Sequence, residues 1–148
     1  MSNYTTNELT NIFSKRAPSS AMDFVASNKT EMINDYRPFS EYIKNYSAQK
    51  KILLQDIIAR ANISEGYGYK ILSETKKTRK RDVILRITLA LRMSLEETQK
   101  ALKLYGMSPL YSRIPRDALL ISCISQGMHD VYKISEELEK AKFAPLES

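Results

Sequence analysis

Apolar residues recur at helical spacing in short runs along this chain, and this periodicity constrains the fold more than any other feature of the sequence. β-branched residues do not alternate with polar residues over any useful length, and only four glycines and five prolines interrupt the 148 residues. With an apolar content of 43%, a chain of this length can bury a substantial core. The sequence therefore predicts an all-α protein built from short helices.

The helical runs divide the chain into three parts. Two early runs, Thr6–Lys15 and Ser20–Asn34, indicate short helices, and the segment Asp35-Tyr-Arg-Pro38 interrupts the pattern after them. The predicted parts are an N-terminal helical arm over residues 1–37, a central helical domain over residues 38–110 and a C-terminal helix pair over residues 111–148.

A short connection joins two helices near the middle of the chain. Asn62 tolerates the left-handed conformation that ends a helix, and Ser64 is a good N-cap, with Glu65 favourably placed against the dipole of the next helix. Two short helices with about three residues between them have the geometry of a helix-turn-helix. The central domain is thus predicted to contain five helices: Ser40–Lys50, Leu53–Ala61, Glu65–Ser73, one capped by Thr78 that runs to Arg92, and one capped by Ser94 that ends before Gly106.

The chain repeats itself after the helix-turn-helix. Arg81-Asp82-Val-Ile-Leu85 recurs as Arg116-Asp117-Ala-Leu-Leu120, and Pro109-Leu110 recurs as Pro145-Leu146. The repeated unit is a helix pair that ends in Pro-Leu, and two copies are short of the three that a solenoid usually needs. We therefore expect the second pair to pack on the first and to bury an apolar stripe of Leu119, Leu120, Ile124, Val131, Ile134 and Leu138.

The net charge of the chain, +6, is concentrated in the 23 residues that begin within the second helix of the helix-turn-helix. This stretch has two acidic residues and eight basic ones, whereas the rest of the chain has equal numbers of each. A focused basic patch on a neutral background is typical of a surface that binds a polyanion. Beside a helix-turn-helix, the polyanion expected is double-stranded DNA. The basic residues are Lys70, Lys76, Lys77, Arg79, Lys80, Arg81, Arg86 and Arg92.

The sequence contains few of the residues that enzyme active sites commonly use. With one cysteine, Cys123, and one histidine, His129, neither a zinc cluster nor a Cys/His or Ser/His/Asp arrangement is expected. The segment Gly66-Tyr67-Gly68 lacks the third glycine and the preceding strand of a nucleotide fingerprint. We expect neither enzyme activity nor a cofactor, and we expect Cys123 in the core and His129 at the surface.

The cellular environment is predicted from the same features. A single cysteine rules out an intramolecular disulfide and fits a reducing compartment. The longest apolar run, Ala118–Ile124, is too short to span a bilayer. We therefore expect a cytoplasmic protein that has no membrane partner.

Three stretches in succession carry a family resemblance. They are Asp56-Ile-Ile-Ala-Arg-Ala-Asn-Ile63-Ser64-Glu-Gly-Tyr-Gly-Tyr-Lys-Ile71-Leu72-Ser73, Arg81-Asp82-Val-Ile-Leu-Arg-Ile87 and Ala90-Leu91-Arg-Met-Ser-Leu95-Glu-Glu. Their register resembles the Cro/C1-type (xenobiotic-response-element) helix-turn-helix family of transcriptional regulators over roughly Phe39–Tyr105. The tail Gly106-Met-Ser-Pro-Leu-Tyr111, with a second Arg-Asp helix pair, is similar to a bacterial, Firmicutes-type subgroup that also carries a short N-terminal helical arm.

The resemblance implies a five-helix lambda-repressor-like domain in a sequence-specific, double-stranded-DNA-binding transcriptional regulator. Its recognition helix would be Glu65–Ser73, which would enter the major groove. Lysine can bond guanine O6 and N7, and glutamate can accept from cytosine N4. Family members usually bind near-palindromic operators as dimers, so a homodimer is expected, with the arm or the C-terminal pair as the surface for the second copy or for a protein partner. The base-facing positions implied are Glu65, Gly66, Tyr69 and Lys70.

Several candidate positions have two interpretations. Tyr67 could stack on bases or bond phosphates, or it could pack against the first helix of the motif. The loop after the recognition helix would run beside the sugar-phosphate backbone, but Arg81 recurs as Arg116 and could instead serve the helix-pair fold. The candidate backbone contacts are Lys76, Lys77, Arg79, Lys80 and Arg81.

Two glycines in the recognition helix allow a further alternative. Gly66 and Gly68 each cost about 0.5–1 kcal/mol of helix propensity relative to alanine. Close backbone approach to DNA is one use for them; a helix that is ordered only on binding, or that no longer reads bases, is the other interpretation. The alternative function is therefore a protein-interaction adaptor with a vestigial helix-turn-helix, whose basic loop docks an acidic partner.

Overall fold

A computed structural model describes residues 37–148, and this part of the chain is all-helical. Pro38–Ser148 forms one compact unit. The N-terminal arm predicted over residues 1–37 lies outside the described residues, apart from Arg37. The helices are α1 (Pro38–Lys50), α2 (Leu54–Ala61), α3 (Glu65–Leu72), α4 (Arg81–Ala90), α5 (Leu95–Leu104), α6 (Pro115–Ser125) and α7 (Val131–Lys140).

The five helices predicted for the central domain are all present, and one of them begins later than expected. Ser94 caps α5 through a capping box with Glu97, as its spacing predicts. Thr78 does not cap α4, because Lys80 occupies the N-cap position two residues later. The Thr78 N–H donates to the Tyr105 hydroxyl at 2.9 Å, and its hydroxyl accepts from the N–H of Lys80 at 3.1 Å. Thr78 therefore belongs to the loop, and α4 begins at Arg81.

One contiguous apolar core runs through the seven helices. The apolar stripe predicted for the C-terminal helix pair is buried in this core, except for the half-buried Leu119. Most helices contribute residues at helical spacing, because their apolar faces turn inward while their polar faces stay in solvent. The exception is α4, in which nine of the ten residues are buried. Core residues with almost no exposure include Phe39, Ile57, Ile71, Ile84, Leu102, Leu120 and Ile134. Within residues 37–148, no helix is both long enough and apolar enough to cross a membrane.

The two helix pairs are joined by reciprocal ion pairs between their repeated Arg-Asp sequences. Arg81 at the start of α4 pairs with Asp117 of α6. Arg116 pairs with Asp82 of α4 through two hydrogen bonds of 3.1 and 2.8 Å. The arginine of each repeat thus pairs with the aspartate of the other repeat. Such a reciprocal contact is called isologous and is typical of a two-fold dimer. The two repeats therefore form a closed internal pair. This explains why two copies are enough for a stable fold, without the third copy that a solenoid usually needs.

Each repeat also fastens its own Pro-Leu tail in an equivalent way. The Gln99 side-chain amide of α5 donates to the Leu110 carbonyl at 2.8 Å and accepts from the Leu110 N–H at 2.7 Å. At the equivalent place in α7, the Ser135 hydroxyl accepts from the Leu146 N–H at 3.3 Å. Both leucines are buried, so each tail closes the core over its own helix pair.

Candidate nucleic-acid interface

The turn between α2 and α3 forms from local signals. Asn62 adopts the left-handed conformation (φ 55°, ψ 49°), and its N–H donates to the Ala59 carbonyl at 3.1 Å. The side chain of Ile63 is buried, and Ser64 takes the extended N-cap position before α3. The left-handed conformation predicted for Asn62 is confirmed. The Ser64 side chain makes no capping hydrogen bond and stays exposed.

The two glycines of α3 occupy different environments. A Cβ atom on Gly68 would lie 2.8 Å from Cγ1 and 3.0 Å from Cγ2 of Ile58, a buried residue of α2. A Cβ on Gly66 would meet nothing within 4 Å. Gly68 therefore permits close packing of α3 on α2, and its use is not an approach to DNA. Gly66 lies on the open surface.

The two faces of α3 have different burial. Gly68, Ile71 and Leu72 are buried on the inner face. Side chains three or four positions apart share a face of a helix, so the residues between these three are directed outward. The residues that the family resemblance implies as base-facing are all exposed: Glu65, Gly66, Tyr69 and Lys70. They share the outer surface of one helix.

The loop after α3 is held against α1 and α5 by a buried carboxylate. Glu74, in the left-handed conformation (φ 58°), has a side chain only 3% exposed. Its carboxylate accepts from the Ser40 N–H in the first turn of α1 at 3.0 Å and pairs with Lys77. The Lys77 ammonium also lies 4.6 Å from the centre of the Tyr105 ring. These contacts fix the path of the loop. Burial of the Tyr105 side chain raises the pKa of its hydroxyl.

Tyr67 packs against the core and supports the loop from the side of α3. Its side chain is half-buried and contacts the hydrophobic core. The Lys76 ammonium lies 5.3 Å from the centre of the Tyr67 ring, and the Lys76 N–H donates to the Lys70 carbonyl at 3.2 Å. A cation over an aromatic ring is attracted by the ring quadrupole. These contacts favour the interpretation of Tyr67 as a packing residue.

The other three loop cations differ in their surroundings. Lys80 lies 3.7 Å from the Glu147 carboxylate in an exposed pair. Arg81 is paired with Asp117 and also donates to the Pro109 carbonyl, which favours its role in the helix-pair fold. Arg79 is exposed. Among residues 37–148, no carboxylate pairs with Lys70, Lys76 or Arg79, so these three cations can meet an external anion.

Arg86 was counted within the basic patch, but it is an internal residue. It is 7% exposed in the middle of α4, and its guanidinium donates to the Ala61 carbonyl at 3.0 Å. It also donates to the carbonyls of Leu146 at 2.6 Å and Glu147 at 2.7 Å. Burial lowers the pKa of Arg86, and the nearby charge of Asp82 opposes this shift. Arg86 thus fastens the end of α2 to the C-terminal tail. Its one sequence signal is a lone arginine in an apolar run.

Cys123 is buried as predicted, whereas His129 is not a free surface residue. Burial raises the pKa of the Cys123 thiol, with the charge of Glu137 as a smaller cause. The His129 ring is half-buried, with Nε2 lying 3.0 Å from the Met93 carbonyl. This contact joins the turn between α6 and α7 to the turn between α4 and α5. In the described part of the chain, no group of His, Cys, Asp and Glu could hold a metal ion.

Comparisons of the chain with protein-family models, with curated proteins and with solved structures found no match. The support for a function therefore comes from the residues and geometry described above.

Proposed function

We propose that this chain is a sequence-specific, double-stranded-DNA-binding transcriptional regulator that places α3 in the major groove. The observation that carries the proposal is the outer face of α3, formed by Glu65, Gly66, Tyr69 and Lys70, directly beside unpaired loop cations. The second helix of a helix-turn-helix contacts bases with such a face, while neighbouring cations bind phosphates and fix the register.

The proposed architecture is a five-helix lambda-repressor-like domain made of α1–α5. In this arrangement α2 and α3 form the helix-turn-helix, and α1, α4 and α5 hold it from behind. Two contacts support a rigid presentation of α3: the tight packing of Gly68 on Ile58, and the anchoring of the following loop by Glu74. A pre-organised recognition helix loses less conformational freedom on binding.

Separate roles are proposed for bases and phosphates. Lys70 would donate to guanine O6 or N7, and Glu65 would accept from cytosine N4. Lys76 and Arg79 would contact phosphates of the backbone that runs beside the loop. The exposed Ser64 and the first-turn N–H groups of α3 favour a further phosphate at the start of the helix.

A homodimer is part of the proposal, because regulators of this kind usually bind two half-sites. The Arg-Asp sequences at the starts of α4 and α6 already pair with each other within one chain. A second copy or a protein partner would therefore use the N-terminal arm or the outer faces of α6 and α7.

The adaptor interpretation has one observation in its favour. Lys77 and Lys80 are already engaged by carboxylates of the same chain, which leaves fewer loop cations for DNA than the sequence count indicates. The two functions differ in the salt dependence of their binding.

A salt titration on duplex DNA tests the proposal. The loop variant, Lys76→Gln with Arg79→Gln, removes two unpaired cations. The control variant, Lys44→Gln with Lys103→Gln, removes the same charge from exposed positions on α1 and α5. The loop variant should flatten the plot of log affinity against log salt by nearly one unit per lost phosphate contact, about 0.9 each. The control variant should keep the wild-type slope. Equal slopes for all three proteins would contradict the proposal.

A further inference from the structure

A cleft of about 700 Å³ opens where α2 and α4 end and where the turn from α6 to α7 passes them. Its lining includes Arg60 from the last turn of α2, Arg92 after α4 and Lys133 in the first turn of α7. None of its lining residues belongs to α3 or to the loop after it. The cleft has the volume of a typical small-molecule site.

The cleft wall carries an excess of positive charge. Arg60, Arg92 and Lys133 are exposed, and none of them has an ion pair within residues 37–148. The one carboxylate in the lining, Asp130, is the N-cap of α7, where its Oδ1 accepts from the N–H groups of Tyr132 at 2.9 Å and Lys133 at 3.2 Å. Three cations and one carboxylate leave the lining with a net charge of +2, which favours a ligand that carries negative charge.

The rest of the lining is mixed, with the polar Gln126 and His129 beside apolar residues and one aromatic ring. Met128 is half-buried and contributes apolar surface, Leu89 and Val131 are almost fully buried, and Tyr132 is 62% exposed. An exposed tyrosine ring stacks well on a planar aromatic group. The cleft therefore combines cations for an anionic group with a surface for a flat, apolar one.

We infer that this cleft binds a small organic polyanion that carries a planar ring, with a nucleoside triphosphate as its representative. Arg60, Arg92 and Lys133 hold the charged groups, and the Tyr132 ring stacks on the planar part. The inference does not depend on the proposed function, because the cleft and the outer face of α3 share no residue.

Calorimetric titration of the full chain at low salt tests this inference. The probes are adenosine triphosphate without magnesium, inorganic pyrophosphate as the charged part, and adenosine as the planar part. We expect saturable binding of the triphosphate, weaker binding of pyrophosphate and undetectable binding of adenosine. Arg92→Gln with Lys133→Gln should weaken triphosphate binding about tenfold or more, because charge-assisted contacts are lost.

Two further variants locate the site. Lys44→Gln with Lys103→Gln removes equal charge outside the cleft and should leave triphosphate binding unchanged, and thermal melting verifies that each variant is folded. Tyr132→Leu should weaken the triphosphate but leave pyrophosphate unaffected. Absence of saturable binding, equal losses in the cleft and control variants, or binding of adenosine as tight as that of the triphosphate would overturn the inference. Displacement of the triphosphate by a short duplex would assign the cleft to the nucleic-acid backbone and overturn it as well.

Discussion

Gly68 and Gly66 form a matched pair for testing how α3 is held. Each glycine lies in the same eight-residue helix, so replacement by alanine removes the same backbone entropy cost, about 0.5–1 kcal/mol in favour of folding. At Gly66 the new methyl group meets nothing within 4 Å. We therefore expect Gly66→Ala to raise the free energy of unfolding by about 0.5–1 kcal/mol.

The same substitution at Gly68 should have the opposite sign. Its methyl group would overlap Cγ1 and Cγ2 of Ile58, at 2.8 and 3.0 Å. Both atoms are attached directly to the stiff, β-branched Cβ of a residue that is 3% exposed, so they cannot swing away freely. Overpacking of this kind costs about 1–3 kcal/mol. After the gain in helix propensity, the net loss should be about 0.5–2 kcal/mol.

Urea denaturation of the two variants and of a double mutant measures this difference. Ile58→Ala alone should cost about 2–5 kcal/mol because it leaves a cavity. In the Ile58→Ala background, Gly68→Ala should become neutral or stabilising, because its methyl group then fills space. The reasoning would be refuted if Gly68→Ala stabilised the protein as much as Gly66→Ala, or if its cost were unchanged without the Ile58 side chain.

Two other predictions concern ionisable contacts. Asp117→Asn leaves Arg81 without its carboxylate and should lower the free energy of unfolding by about 2–3 kcal/mol. Glu147→Gln, which breaks an exposed ion pair, should lower it by less than about 1 kcal/mol. Urea denaturation compares the two variants, and equal effects would show that the reciprocal ion pairs contribute little. Burial, assisted by the charge of Glu97 and a hydrogen bond to it, raises the pKa of Tyr46 to about 12 in the folded protein, against 10.0 in the unfolded chain. Its contribution to stability is therefore complete below pH 10 and is lost as the pH rises through 12, by about 2 kcal/mol at that point. Tyr46→Phe should lose less stability between pH 10 and 12 than wild type does, and an identical loss would contradict this cause.

The parts of the fold that local chemistry determines could be predicted from the sequence. Asn62 and Ser94 are examples, because a left-handed helix end and a capping box depend on residues a few positions apart. The burial of the C-terminal helix pair followed from the helical spacing of its apolar residues. Periodicity places such residues on one face without any knowledge of the partner surface.

Contacts between distant parts of the chain could not be predicted. Arg86 counts as one more positive charge in the sequence, and only the tertiary structure brings the carbonyls of Ala61 and Leu146 to it. Gly68 was considered for an approach to DNA, because the sequence does not reveal that Ile58 lies opposite it. The pairing of Arg81 with Asp117 was similarly hidden, since repetition indicates that two segments fold alike but not that they face each other.

The most direct test of the proposed function is sequence discrimination by the outer face of α3. Tyr69 and Lys70 are exposed, so Tyr69→Ala and Lys70→Ala should leave the fold intact. Affinity would be measured on an operator selected from random duplexes and on a scrambled duplex of the same length, at one salt concentration. Loss of a good base contact should cost about 1–3 kcal/mol on the operator and much less on the scrambled duplex, because Lys76 and Arg79 still hold the backbone. Equal losses on both duplexes, or no loss on either, would contradict the assignment of α3 as the helix that reads DNA.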